Sequence, residues 1–303
     1  MSEKQTKRGK RLRLEGRKRI TAGLSHHRWP VLSLDGQWLA YAIGEGFDQC
    51  WAIADRKGRI GRLFEGPADS GASFGKDGSF AFGRKVGAAS EIWFAPSLAA
   101  PAVRLLGGDG KIYQGPALSH DGRSLAFVCD EEGRGTLTLQ ILDLASGKRQ
   151  RIASDRYGSA GRPVFSSTGE LYFDGQFDGR LGIYRLAPSS DGAANEPVRI
   201  SPTEDSHRRP SPVGRGLVLA EKVVEGKGAV RLVLLDERTG SESKLSDLDE
   251  AREPCSVLLD GKVRVAFIAL GDDEPRRLDV YTARLRGLRD QSEADSLDAG
   301  SNS

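Results

Sequence analysis

One phrase recurs along this chain about every 45 residues: a strand-like lead, a tight Asp-Gly turn, then a short apolar run. It is read at Pro30–Tyr41, Ala72–Phe82, Pro116–Phe127, Pro163–Phe173 and Pro254–Phe267, with a worn copy at Pro210–Leu219. The turn positions are Asp35, Asp77, Asp121, Thr168, Val213 and Asp260. A fixed period of this length is the mark of a repeat architecture with four short strands per unit. Asp-Gly between β-rich runs encodes a hairpin, because Gly accepts positive φ and Asp hydrogen-bonds its own backbone.

After each turn come a second strand and a third one rich in β-formers. The third strands are Cys50–Ile53, Glu91–Phe94, Leu137–Leu142, Gly182–Leu186, Val230–Leu235 and Asp279–Thr282. Fourth strands are marked at Lys148–Ile152, Val198–Ser201 and Ser243–Leu245. Four antiparallel strands repeated six times predict an all-β, six-bladed β-propeller. Trp38, Leu39, Tyr41, Phe80, Phe82, Leu125, Phe127, Leu171 and Phe173 alternate at strand spacing and are expected in the core.

Lys18–Thr21 precedes Pro30 as Val198–Ser201 precedes Pro210, and both lead into a loop carrying Ser-His. Lys18–Thr21 is therefore expected to be the outer strand of the last blade, so that an N-terminal strand closes the ring and covers an open sheet edge. The expected organisation is a basic disordered arm over 1–17, the propeller over 18–286 and a polar, acidic tail over 287–303.

A chain of 303 residues can bury a sizeable core in one closed ring. No run of about 18 apolar residues occurs, and the polar, basic N-terminus does not read as a secretory signal. Cys50, Cys129 and Cys255 fall in strands of three different units, with no C-x-x-C, and read as buried thiols. A cytoplasmic, monomeric protein is expected. Residues 1–19 hold nine Lys or Arg against Glu3 and Glu15. That arm is either a solvated lead into the closing strand or a contact for nucleic acid or an anionic membrane. No aromatic residue interleaves its charges, so base stacking has no support.

Gly71–Gly75 matches the G-x-S-x-G turn of serine hydrolases, but it lies in a strand and turn with no helix after it, so Ser73 is not expected to be a nucleophile. His120 should be an exposed turn residue. His27 and His207 each stand three residues before their unit's Pro, and Asp69 and Tyr113 hold the corresponding places in units two and three. A metal site would need more ligands converging there, and no metal or cofactor is expected.

One residue on, the same ring reads Arg28, Ser70, Gln114, Gly161, Arg208 and Arg252; the next reads Trp29, Gly71, Gly115, Arg162, Arg209 and Glu253. The innermost strand of a propeller begins near one mouth of its channel, so these groups should crowd that mouth. Several Arg brought together need an anion, and their planar forks suit one. Either a partner supplies it, or Glu204, Asp205 and Glu253 do. The candidate partner-binding set is His27, Arg28, Trp29, Asp69, Tyr113, Gln114, Arg162, His207, Arg208, Arg209 and Arg252.

The phrase at Pro116–Phe127 and Pro30–Tyr41 resembles the repeat of TolB-type propellers, which are WD-repeat-like, and the resemblance covers residues 18 to 286. It implies a protein-interaction platform whose channel mouth accepts a peptide from a partner. TolB itself carries a signal peptide and an N-terminal α/β domain, and prolyl-oligopeptidase-like enzymes join such repeats to a hydrolase domain. None of these is expected here. The expected function is thus a non-enzymatic scaffold for a protein or an acidic peptide. The alternatives are a lyase or hydrolase acting on an anionic substrate in the funnel, and binding of nucleic acid or an anionic membrane by the arm.

Overall fold

The computed structural model describes residues 12–21, 25–44, 49–152, 159–177, 180–187, 196–224, 226, 229–245, 251–270 and 277–287. The strands run β1 (Arg13–Arg19), β2 (His27–Leu32), β3 (Trp38–Ile43), β4 (Cys50–Asp55) and β5 (Ile60–Phe64). They continue with β6 (Ala68–Phe74), β7 (Phe80–Val86), β8 (Ala89–Ala95), β9 (Val103–Leu106), β10 (Ile112–Leu118), β11 (Ser124–Asp130), β12 (Thr138–Asp143) and β13 (Arg149–Ile152). Next come β14 (Ala160–Phe165), β15 (Leu171–Phe177), β16 (Arg180–Leu186), β17 (Val198–Arg199), β18 (Ser206–Gly214) and β19 (Leu217–Val223). The last are β20 (Val230–Asp236), β21 (Ser241–Lys244), β22 (Arg252–Leu259), β23 (Lys262–Leu270) and β24 (Leu278–Arg286). The fold is an all-β propeller.

Among the described residues these strands form five hydrogen-bonded sheets. Four have four strands each: β2–β5, β14–β17, β18–β21, and β22–β24 with β1 on the outside. The remaining sheet, β6–β13, has eight strands, and its two halves are joined by a parallel register contact between Ile112 and Ser90. The N-terminal strand pairs antiparallel with β24, Arg13 opposite Arg286 and Arg19 opposite Tyr281. It begins at Arg13 rather than Lys18, so the expected arm gives up its last residues to the sheet. Residues 1–11 of that arm, and the tail from residue 288, lie outside the described residues. The outer strands β5 and β9 carried no pattern of their own, because Ile60-Gly-Arg-Leu-Phe64 and Val103-Arg-Leu-Leu106 mix exposed charge with apolar side chains.

The turns take two forms. In the first unit Ser33 N donates to Trp38 O and Gly36 N to Ser33 O, while Asp35 Oδ1 accepts from Ser33 Oγ and Gln37 N. The Asp carboxylate thus ties a loop longer than two residues. In the worn fifth unit the turn falls at Arg215-Gly216 rather than at Val213; both residues have positive φ, as the two-residue hairpin requires.

The core lies between consecutive units. Ala40 and Ala42 of β3, with Trp51 and Ile53 of β4, pack with Phe74, Phe80 and Phe82 of the second unit. Tyr41 and Leu39 pack on their other side with Ala266, Ile268 and Val280 of the last. Alternation along β3 thus feeds two interfaces at once, and each fully buried aromatic such as Phe80 contributes about 1.5–3 kcal/mol. Trp38 is the exception to the expected core, at 37% exposed where β3 leaves its turn.

Around the axis the first strands pack in cyclic order, β2 on β6, β6 on β10, β10 on β14, β14 on β18, β18 on β22 and β22 on β2. Small groups on one first strand accept backbone N–H groups of the next: Leu118 N donates to Ser73 Oγ (3.0 Å), Ser256 N to Ser211 Oγ (2.8 Å) and Leu32 N to Cys255 Sγ (3.3 Å). Ser73 is therefore a joint between units.

Candidate functional site

The first strands enclose an axial cavity of ≈ 280 Å³. Each is bulged, with the ladder register shifting after Arg28, Asp69, Gln114, Gly161, Arg208 and Arg252. The next residue is left-handed every time: Trp29 (φ 52°), Ser70 (48°), Gly115 (60°), Arg162 (38°), Arg209 (57°) and Glu253 (56°). These six residues line one end of the cavity, and Leu34, His120 and Leu258 line the end near the turns. A left-handed non-Gly residue costs roughly 1–2 kcal/mol, so five such residues in one ring must be held by their surroundings.

The holding groups come from the preceding unit. Gly115 N donates to Ser70 Oγ (3.4 Å), Arg209 N to Asp174 Oδ2 (2.7 Å), Glu253 N to Glu221 Oε1 and Trp29 N to Glu253 Oε2 (2.6 Å). Asp174 and Glu221 stand at equivalent points of β15 and β19, opposite Gly161 and Arg208. Gly161 is required for this: a Cβ there would lie 2.3 Å from Asp174 Oδ1.

The same carboxylates face the arginines. Arg208 Nε donates to Glu221 Oε2 (2.7 Å), and Arg209 is ion-paired with Glu253. Burial pushes the Asp174 carboxyl up, against the pull of the Arg209 backbone and of Arg162. Burial also acts on Glu253, but Arg209 and Arg162 outweigh it and hold that carboxyl below its ordinary value. The Arg162 guanidinium is pushed down by burial and by Arg209 beside it. The ring is therefore a mixed-charge cluster rather than a purely basic one. Glu221 and Asp174 had no mark in the repeat phrase, since both stand on the second strand.

The expected set divides. Trp29, Arg162 and Arg209 line the cavity. Arg28 is exposed, Gln114 Nε2 donates to Asp69 Oδ2 (3.4 Å), and Arg208 and Arg252 lie just outside the lining. His27 and His207 are buried away from it. His27 Nδ1 lies 3.3 Å from Asp279 Oδ1 and its ring meets Tyr41 edge-on, while His207 Nε2 lies 2.7 Å from Glu242 Oε2. Tyr113 is also buried, and burial, with the hydrogen bond its hydroxyl donates to Asp109 (2.7 Å), pushes that hydroxyl up to about 12. These positions stand two residues before the ring members, and the bulge between them breaks the strand's alternation and separates their directions. His120, expected on the surface, lines the cavity.

No protein-family model and no curated protein matches the chain. Solved structures do. TolB from Acinetobacter baumannii is similar over 78% of this chain at 18% identity and a TM-score of 0.62. This chain spans 58% of that protein's length. A structure described as TolB from Agrobacterium tumefaciens matches over 91% of this chain and 99% of its own, at 18% identity and a TM-score of 0.61. An oligogalacturonate lyase from Vibrio parahaemolyticus matches over 88% and 93%, at 12% identity and a TM-score of 0.56. At these identities the likeness is one of fold, and the fold is that of a TolB-like, WD40-like β-propeller.

Proposed function

We propose that this protein is a six-bladed binding scaffold that takes an extended peptide segment of a partner protein into the axial cavity, past the ring of Trp29, Arg162, Arg209 and Glu253. Dividing the eight-stranded sheet where Ile112 meets Ser90, each half a four-stranded unit in the cyclic order of first strands, supports the count of six. The observation that carries the binding reading is the cavity itself, apolar along Ala72, Phe74 and Leu118 and charged at one end. Its size suits a few side chains rather than a whole large ligand.

The lyase above and prolyl endopeptidases share the fold, so an enzyme reading stands or falls on the residues. General acid–base work needs a carboxyl free to exchange a proton with substrate. Asp174, Glu221 and Glu253 are each engaged by a backbone N–H of the ring. This favours binding over turnover.

A photoreactive benzoylphenylalanine at Ser70 tests the reading. It should capture one partner segment in cells, and Ala72→Phe, melting like the wild type, should abolish the adduct. Adducts arising only from probes on the outer strands, such as Leu63, would overturn it.

A further inference from the structure

Arg162 is the one member of the ring whose cation is left over. Arg162 lines the cavity, yet among the described residues its guanidinium has no hydrogen bond and no ion pair within 4 Å; its charge acts on Arg209, Glu253, Asp174 and Glu221 only from a distance. Those acids are already engaged. Asp174 Oδ2 takes Arg209 N, Glu221 takes Arg208 Nε and Glu253 N, and Glu253 takes Trp29 N and the Arg209 guanidinium.

The neighbouring ring members on the two preceding units are small: Gly115 stands beside Arg162 and Ser70 one unit further back, and all three line the same cavity of ≈ 280 Å³. Below them the wall turns apolar, with Ala72, Ala117, Phe74 and Leu118 lining the cavity. A planar fork next to apolar wall fits a carboxylate on an apolar body, held by two parallel hydrogen bonds.

Resting on the channel reading above, we propose that the bound segment presents a carboxylate to Arg162 and seats an apolar side chain against Ala72 and Leu118. Charge supports this. The arginines at positions 162, 208 and 209 face three acids, one of which, Asp174, is driven toward its neutral form by burial. An incoming anion pairs with the one of these arginines, Arg162, that no acid holds within 4 Å.

The probes are acetyl-Leu-Leu as the free acid, the same peptide as its C-terminal amide, and acetyl-Leu-Asp amide, titrated calorimetrically into the full chain. The free acid should bind roughly 10- to 100-fold more tightly than the amide, the gain of a charged hydrogen-bonded pair. Arg162→Gln should abolish that preference, and Arg162→Lys should keep only part of it. The Asp peptide separates a chain terminus from an acidic side chain as the source. Arg162→Gln should melt no lower than wild type, because it removes a crowded cation, so a folding defect would be recognised. Equal affinity for acid and amide, no binding of any probe at millimolar concentration, or a preference surviving in Arg162→Gln would overturn the proposal. If the Ser70 probe still captures a partner while these titrations fail, the channel reading survives and only the carboxylate anchor is lost; failure of both removes the site.

Discussion

The backbone N–H of Trp29 donates to Glu253 Oε2 at 2.6 Å, joining the first unit of the chain to the last through two residues that are both left-handed. Glu253 also pairs with Arg209 in the unit before it. One carboxylate thus spans three consecutive first strands and fixes two of the strained positions of the ring.

Replacing Glu253 with Ala leaves the Trp29 N–H without its acceptor and the Arg209 guanidinium with a weaker partner set. Breaking a buried pair in this way costs about 3–5 kcal/mol. Glu253→Gln keeps the acceptor and should cost less, about 1–3 kcal/mol. Urea unfolding of both variants checks the order: Gln less damaging than Ala.

Asp174 gives the opposite sign. Burial raises its carboxyl pKa, so the folded chain holds that proton more tightly than the unfolded chain. Stability from this group is present in acid and is lost as pH rises from the ordinary carboxylate range through the raised value. Asp174→Asn keeps an oxygen for the Arg209 N–H and removes the charge. The variant should be at least as stable as the wild type at pH 7, with the advantage vanishing in acid. A wild type more stable than the Asp174→Asn variant at neutral pH would show that the carboxylate stays ionised in the fold.

The period of the phrase made the strands legible, because Pro, Asp-Gly and alternating apolar residues each act locally on the backbone. It also pointed to the residues next to the axis, but in the second unit by one position too far: Ser70, not Gly71, stands where Trp29 does, and Asp69 matches Arg28 rather than His27. Outside the third unit, where Gly115 stands, the bulge shows in the sequence only as a Trp, Ser, Arg or Glu at the left-handed place, and those types do not announce positive φ. Asp174 and Glu221 were illegible for another reason: they reach the ring from the second strand, across a ladder whose register is a tertiary fact. His27 and His207 looked like ring members by spacing alone, but the bulge between each and its ring residue breaks the alternation, and both sit in buried carboxylate pairs.

His27 makes acid stability testable at a single side chain. Burial lowers its pKa, although Asp279 and the Leu278 carbonyl pull it up. A lowered value in the fold means that the unfolded chain takes up the proton first, so stability is lost as pH falls below the ordinary histidine range. The wild type should lose stability between about pH 7 and pH 5 by more than His27→Gln does, the window being set by the ordinary histidine value near 6.5. Thermal melts at both pH values measure the difference; parallel slopes would place the titration elsewhere.

Gly161→Ala should act through its neighbour rather than through its own backbone. The added methyl would sit 2.3 Å from Asp174 Oδ1, so the carboxylate must leave the Arg209 N–H. A buried donor left unpaired costs about 1–3 kcal/mol. The loss should shrink in an Asp174→Ala background, where no side-chain oxygen is left to displace. A double-mutant cycle by urea unfolding reads that coupling directly, and strict additivity would contradict it.

The seam formed by the N-terminal strand is held at a buried point as well as along its edge. Thr21 Oγ1 donates to Asp279 Oδ1 (3.1 Å) and accepts from Val280 N (2.9 Å), and Arg19 pairs with Asp279 at 2.8 Å. Asp279 is fully buried, so losing these partners leaves its charge to Arg277 and His27 alone. Thr21→Val keeps the shape and removes both hydrogen bonds, and should cost about 1–3 kcal/mol. Deleting residues 1–22 also removes the β1 ladder and uncovers β24 as an open edge, an invitation to pair with other chains. The truncated chain should melt well below Thr21→Val and self-associate in light scattering. Unchanged melting after the deletion would mean that β24 needs no cover and that Asp279 finds a new partner.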